Sequence, residues 1–214
     1  MTQPAVLVSG EHHNDRRVIR TLVEALRPDL QGRLEFFRAP MTLVKDLNRA
    51  KAVERADKVV KVLRARQRRG ALLAALFHED CDAPEPEHLR KTTLIESYYS
   101  HAPCRVLAVV PAPMMEAWWL LFPHVLPRVR AAWREPVEFV GRDVGRLRDA
   151  KGELRRAVRP RTGPRTGRVL SSFPDYTESD APLIAEALAK SGAILTPSGK
   201  SDSWRLFCAK VAAL

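Results

Sequence analysis

Two apolar stretches of strand length in this chain each end in acidic residues. The stretch from Leu72 to Asp82 closes on Asp80 and Asp82, and the stretch from Val106 to Leu121 carries Glu116 just past its strand-like part. In an α/β sheet the carboxyl ends of the strands meet at one edge, where such folds place their ligands. We therefore expect these three carboxylates to lie in one cleft.

Carboxylates that share a cleft repel one another unless a cation lies between them. Oxygen-only ligand sets suit Mg²⁺ or Mn²⁺, so the pattern predicts a metal site of Asp80, Asp82 and Glu116. The simpler interpretation of the Asp80/Asp82 pair is a surface D-x-D. For Glu116 the simpler interpretation is an exposed glutamate on a short helix whose neighbouring tryptophans pack inward.

The order of apolar patterns along the chain alternates between strand and helix. This alternation predicts an α/β fold with a mostly parallel sheet flanked by helices over residues 1–140. Residues 141–214 are predicted to form a basic loop and a helical C-terminal extension packed on that core. Predicted strands are Ala5–Val8, Leu34–Phe37, Ala71–Phe77 and Arg105–Val110, and predicted helices are Arg16–Leu26, about Leu43–Arg69, Glu87–Ser100, Met114–Phe122, Ala181–Ser191 and Ser201–Leu214.

The chain is strongly basic, with 36 Lys and Arg against 25 Asp and Glu and a net charge of +11. Such an excess indicates contact with polyanions, and backbone-directed cations serve DNA and RNA equally. For the basic residues on the long helix, the alternative is a solvated helix face. For the Arg-rich loop, the alternatives are a connector or a docking site for an acidic partner. The candidate nucleic-acid-binding residues are Lys58, Lys61, Arg64, Arg66, Arg68 and Arg69 on the long helix, and Arg161, Arg165 and Arg168 in the loop.

Other features favour a cytoplasmic protein that does not bind membranes. No apolar run approaches the roughly 20 residues that span a bilayer, and the N-terminus lacks the basic region of a signal peptide. The three cysteines show no metal-binding spacing, which suits a reducing compartment. The sequence leaves homo-oligomer formation open.

Three motifs in order resemble the Toprim-related nuclease superfamily: VLVSGEHHND, HEDCDA and PAPMMEAWWLL. More narrowly, the chain is similar to a bacterial family of unknown function with a Toprim-like core, related to the overcoming-lysogenization-defect nucleases. The segments PDYTESDAPLIAEAL and SDSWRLFCAKVAAL also resemble the tail of that family. The resemblance spans most of the chain.

The resemblance implies a Toprim-like fold in which a first-turn glutamate, the D-x-D pair and a further acid bind divalent metal. Asp80 and Asp82 match the D-x-D and Glu116 matches the later glutamate. The first motif departs from the family pattern. In the family a glutamate precedes the glycine, and this chain has Ser9 at that position. Glu11, after the glycine, or Asp15 could reach the same space. Related proteins often act beside an ABC- or AAA-type ATPase, frequently in anti-phage defence.

We therefore expect a metal-dependent nuclease that cleaves phosphodiesters of DNA or RNA, in an anti-phage system controlled by an ATPase partner. Glu11 would be a metal ligand or a base that orients water. His78 would orient a carboxylate or donate to a phosphate, unless it is only a structural residue. The alternative is a catalytically degenerate Toprim-like module that binds nucleic acid or an ATPase partner without cleavage.

Overall fold

The protein is built on a parallel β-sheet between two helical layers. The structure is a computed structural model that describes residues 4–45, 47–160 and 173–214. Four strands are found within these ranges: β1 (Ala5–Ser9), β2 (Leu34–Phe36), β3 (Leu72–His78) and β4 (Arg105–Val109). They are all parallel and lie in the order β2-β1-β3-β4.

Helices connect the strands and continue after the last one. None of the helices in the described ranges is long and apolar enough to cross a membrane. In chain order they are α1 (His13–Leu26), α2 (Arg49–Arg69), α3 (Glu87–Tyr98), α4 (Met115–Trp119), α5 (Leu126–Val129), α6 (Ala150–Val158), α7 (Ala181–Ser191) and α8 (Asp202–Ala212).

The predicted fold class is confirmed: an α/β protein with a parallel sheet, flanking helices and a helical C-terminal part, consistent with a Toprim-like fold. The largest boundary error is at the start of α2, which does not begin near Leu43. Its N-cap is Asn48, whose side chain accepts the Lys51 N–H at 3.0 Å. The N–H groups of residues 43–45 instead donate to Glu79, which lies more than thirty residues away in sequence. A tertiary contact therefore overrides the local helical pattern.

Alternation along the strands divides the core into two layers. On β1, Val6 and Val8 belong to the cluster formed with α1, α4 and the C-terminal helices, whereas Leu7 belongs to the cluster formed with α2 and α3. Successive side chains of a strand point to opposite faces, so both faces of this sheet are covered. Within the first layer, Trp118 of α4 packs edge-on against Trp204 of α8, with ring centroids 5.1 Å apart. The C-terminal helices thus complete one layer of the fold.

A side-chain ion pair covers the outer edge of β4. The Ala108 N–H donates to Glu96 Oε1 at 3.0 Å, and Lys210 Nζ donates to the Ala108 carbonyl at 2.8 Å. Glu96 and Lys210 also contact each other at 2.6 Å. The pair therefore satisfies the two backbone groups that a neighbouring strand would otherwise bind, and it joins α3 and α8 to the sheet.

We expect Glu96→Ala to lower the free energy of unfolding by about 2 kcal/mol, because it leaves the Ala108 N–H without its acceptor and the mostly buried Lys210 ammonium without its carboxylate partner. Urea denaturation measures this change. The matched control is Glu87→Ala on the same helix, where the carboxylate is exposed and 4.0 Å from Arg90. That variant should stay within about 0.5 kcal/mol of the wild type. Equal losses in the two variants would contradict the assigned role of Glu96.

Candidate functional site

An acidic cavity of about 190 Å³ opens at the carboxyl edge of the sheet. All four candidate metal ligands lie on its walls, although they come from the turn after β1, the segment after β3 and helix α4. Two further carboxylates join them, one from α1 and one from the segment before α7. The six are Glu11, Asp15, Asp80, Asp82, Glu116 and Glu178.

The chain beyond β3 keeps an extended, hydrogen-bonded course into the cavity. The Glu79 N–H donates to the Val109 carbonyl at 3.1 Å, and the Asp82 N–H donates to the Pro113 carbonyl at 2.8 Å. Alternation along this segment places His78 and Asp80 on the cavity side and Glu79 on the side of α2 and α3. Asp82 then adopts a left-handed backbone conformation, with φ of 60°. Non-glycine residues seldom adopt this conformation, and such residues cluster at functional sites.

His78 lies buried beneath the cavity, between two of its carboxylates. Its Nδ1 is 3.5 Å from Asp15 Oδ2 and its Nε2 is 3.3 Å from Asp80 Oδ1. These are ion-pair contacts, since neither nitrogen makes a well-directed hydrogen bond. Burial opposes the imidazolium, but Asp15 and Asp80 outweigh it and raise the pKa of His78 to about 10. His78 is therefore placed to orient the two carboxylates, and it lies too deep to contact a substrate.

Glu11 reaches the cavity from the turn after β1. Its side chain is 8% exposed, its Oε2 is 3.6 Å from Lys45 Nζ, and its buried Oε1 has no hydrogen-bond partner. Burial raises the pKa of Glu11, and the charge of Asp80 raises it further. Both alternatives for the altered first motif, Glu11 and Asp15, line the cavity, whereas the Ser9 hydroxyl is buried without a partner.

Glu116 is buried at the start of α4, and both neighbouring tryptophans pack inward. Its Oε1 accepts the Tyr176 hydroxyl at 3.3 Å and lies 3.9 Å from Lys151 Nζ. Burial, followed by the charge of Asp80, raises the pKa of Glu116. The tryptophans therefore pack inward, as the simpler interpretation held, but Glu116 is buried on the wall of the cavity and not exposed as that interpretation predicted.

Lys151, Tyr176 and Glu178 come from the C-terminal part and were missed by the sequence analysis. Lys151, from α6, pairs with Glu178 as well as with Glu116. No local pattern marks these residues, because they enter the site only when α6 and the segment before α7 fold back over the sheet. The two-residue period of side chains along HEDCD does, however, indicate from sequence alone that Glu79 points to the opposite face from His78 and Asp80.

Two ammonium groups lie among the carboxylates. Lys45 Nζ is 2.9 Å from Asp82 and 3.6 Å from Glu11. Lys151 Nζ is 3.9 Å from Glu116. Within residues 4–45, 47–160 and 173–214, no three His, Cys, Asp or Glu side chains already form a metal-coordination group. The donor chemistry nevertheless fits Mg²⁺ or Mn²⁺, because every acid contributes oxygen and Glu11 Oε1 has an unused lone pair.

The basic helix α2 points away from the cavity. It runs antiparallel to the strands and its 21 residues span roughly 30 Å, so Arg68 and Arg69 lie at the amino edge of the sheet. Of the six candidate cations, Lys58 pairs with Glu54, Arg66 pairs with Glu35, and Arg64 contacts the His101 carbonyl. The side chains of Lys61, Arg68 and Arg69 are exposed. The loop residues Arg161, Arg165 and Arg168 lie outside the described residues.

The fold and the cavity define an α/β protein with an acidic cleft at the carboxyl edge of a parallel sheet. No protein-family model, curated protein or solved structure matches this chain. The resemblance to Toprim-like nucleases therefore stays a prediction, and the functional argument rests on the site itself.

We expect Glu11→Gln to raise stability at neutral pH by about 1 kcal/mol, or 2–4 °C in Tm, because it removes a buried charge that Asp80 repels. A carboxyl whose folded-state pKa is raised costs stability as pH rises through the interval between its unfolded and folded pKa. The gain should therefore be present at pH 7 and disappear at acid pH, where Glu11 is protonated. Thermal unfolding of both proteins across pH checks this. A destabilised variant at pH 7 would contradict it.

Proposed function

We propose that this protein is a metal-dependent phosphodiesterase that cleaves nucleic acid. The observation that carries the proposal is the convergence of Glu11, Asp80, Asp82 and Glu116 on one cavity, with a buried Glu11 oxygen that has no partner. Carboxylates this close together repel one another, and such clusters are typical of sites that bind a divalent cation.

Each residue has a distinct task in this proposal. Asp80, Asp82 and Glu116 hold Mg²⁺ or Mn²⁺, and Glu11 either completes the ligand set or orients the attacking water. His78 holds Asp15 and Asp80 in place from below. The bound metal supplies charge neutralisation at the scissile phosphate and at the attacking and leaving oxygens.

The proposed substrate is DNA or RNA, because the net charge of +11 suits a polyanion. Exposed cations on α2 extend away from the cavity, so a strand bound there would have to follow the helix along the side of the sheet. An ABC- or AAA-type ATPase partner, a role in anti-phage defence and a cytoplasmic location belong to this proposal through the Toprim-like resemblance.

A second candidate is a module of the same fold that binds nucleic acid or an ATPase without cleavage. The ion pairs of Lys45 and Lys151 favour it, since two ammonium groups already neutralise much of the acidic cavity. The altered first motif, with Ser9 before the glycine, favours it as well.

A cleavage assay separates the two candidates. Single-stranded DNA, duplex DNA and RNA are incubated with the protein and Mn²⁺ or Mg²⁺, with EDTA as the control. Metal-dependent cleavage is expected for the enzyme. Retarded mobility of the nucleic acid without cleavage, with either metal, would favour the binding module.

A further inference from the structure

A buried carboxylate fixes the turn that carries Lys45. Glu79 is fully buried, and its carboxylate accepts the N–H groups of Leu43, Val44 and Lys45, with distances of 3.1 Å for Val44 and 2.9 Å for Lys45. Lys91 Nζ neutralises the same carboxylate at 3.0 Å. Three charge-assisted hydrogen bonds to consecutive amides define the course of this turn, although it has no regular secondary structure.

This turn holds Lys45 at the boundary between two cavities. On one side is the acidic cavity, where Lys45 pairs with Asp82 and Glu11. On the other side is a cavity of about 240 Å³ that also includes Val44, Cys81, Arg90 and Lys91. The wall of the second cavity therefore carries three cationic side chains beside one carboxylate, Glu87, and the cavity adjoins the acidic cavity at Lys45.

We infer that Lys45 is the phosphate-contacting residue of this site and that Glu79 is its positioning residue. The inference rests on the proposed metal-dependent function. The ligand is a phosphate group bound together with a divalent cation, and its source is the backbone of the substrate strand.

The chemistry follows from competition for the same oxygens. Asp82 and Glu11 would hold a divalent cation through the oxygens that Lys45 now contacts, so the Lys45 ammonium would lose these partners and be repelled by the added charge. Lys45 is half-buried on a flexible stem, so it turns toward the adjoining cavity, where a phosphate offers anionic oxygens. Because Glu79 holds the backbone of residue 45, only the side chain has to move. Lys45 contacts the phosphate directly, whereas Glu79 acts through Lys45.

Calorimetric titration of Mn²⁺, and of inorganic phosphate in saturating Mn²⁺, tests the inference without any cleavage assay. We expect Lys45→Met to bind Mn²⁺ about tenfold more tightly, because a competing positive charge is removed. We expect the same variant to bind phosphate about tenfold more weakly, because a charge-assisted contact is lost. Lys45→Arg should retain phosphate binding. A purely structural role would not move the two affinities in opposite directions.

Glu79→Gln should weaken phosphate binding as Lys45→Met does, provided that thermal unfolding shows a folded protein. Lys190→Met, which changes an exposed lysine in the last turn of α7, is the matched control and should change neither affinity. Unchanged Mn²⁺ and phosphate affinities in Lys45→Met would overturn the inference while leaving the metal site intact, and so would wild-type protein that binds Mn²⁺ but no phosphate. Wild-type protein that binds no Mn²⁺ would overturn the proposed function together with the inference.

Discussion

We expect Asp80→Asn to slow Mn²⁺-dependent cleavage of nucleic acid by on the order of a thousandfold, because Asp80 is the central carboxylate of the cavity. Burial raises the pKa of both Glu11 and Glu116, and the charge of Asp80 is the next cause for each, which places Asp80 between the two sides of the acidic cluster. Its Oδ1 accepts the Met115 N–H at 3.1 Å. Asparagine keeps the volume of the side chain and this acceptor oxygen, so the loss of activity should result from the missing negative charge.

Single-turnover cleavage of a labelled oligonucleotide measures this effect, and circular dichroism checks the fold. The matched control is Asp57→Asn, which changes an exposed carboxylate on α2 whose contact is His101 at 3.6 Å. The control should cleave at the wild-type rate. Cleavage by Asp80→Asn at that same rate would remove the acidic cavity from the proposed chemistry.

The second large effect concerns metal binding itself, which needs neither the right substrate nor a partner protein. We expect the Asp80→Asn/Asp82→Asn variant to bind Mn²⁺ at least about a hundredfold more weakly than the wild type, since loss of supporting residues alone costs 10- to 100-fold. In the wild type, Mn²⁺ at 100 times its Kd should stabilise the folded protein by about 2.7 kcal/mol. For a chain of this size that is a rise of roughly 5–11 °C in Tm.

Calorimetry and thermal unfolding report the two quantities independently. EDTA should reverse the thermal shift in the wild type and leave the double variant unchanged. The comparison variant is Asp29→Asn, an exposed carboxylate that pairs with Arg27 far from the cavity, and its Mn²⁺ affinity should equal that of the wild type. Equal Mn²⁺ affinity in the double variant and the wild type would show that Asp80 and Asp82 are not the ligands.

Local patterns in the sequence predicted most elements of the fold. The helix Ala181–Ser191 was predicted at the bounds that the structure has, because its apolar period and its closing glycine act locally. The strand before HEDCD was displaced by one residue at each end. The start of α2 was wrong by six residues, because the bonds of Glu79 to residues 43–45 depend on a strand much further along the chain.

The amino-acid sequence by itself determined the parallel α/β architecture and the acidic residues that follow β3 and β4, because short apolar runs and the residues after them are local features. Only the tertiary structure decided that Glu11 and Asp15 both reach the cavity, that His78 lies beneath it, and that Lys45 and Lys151 neutralise its sides. The C-terminal contributions of Tyr176 and Glu178 depend on the same folding. The physical reason is that charges act through space. Their partners are set by tertiary packing, such as that of α6 against α4 and of α7 against α1, which no local pattern records.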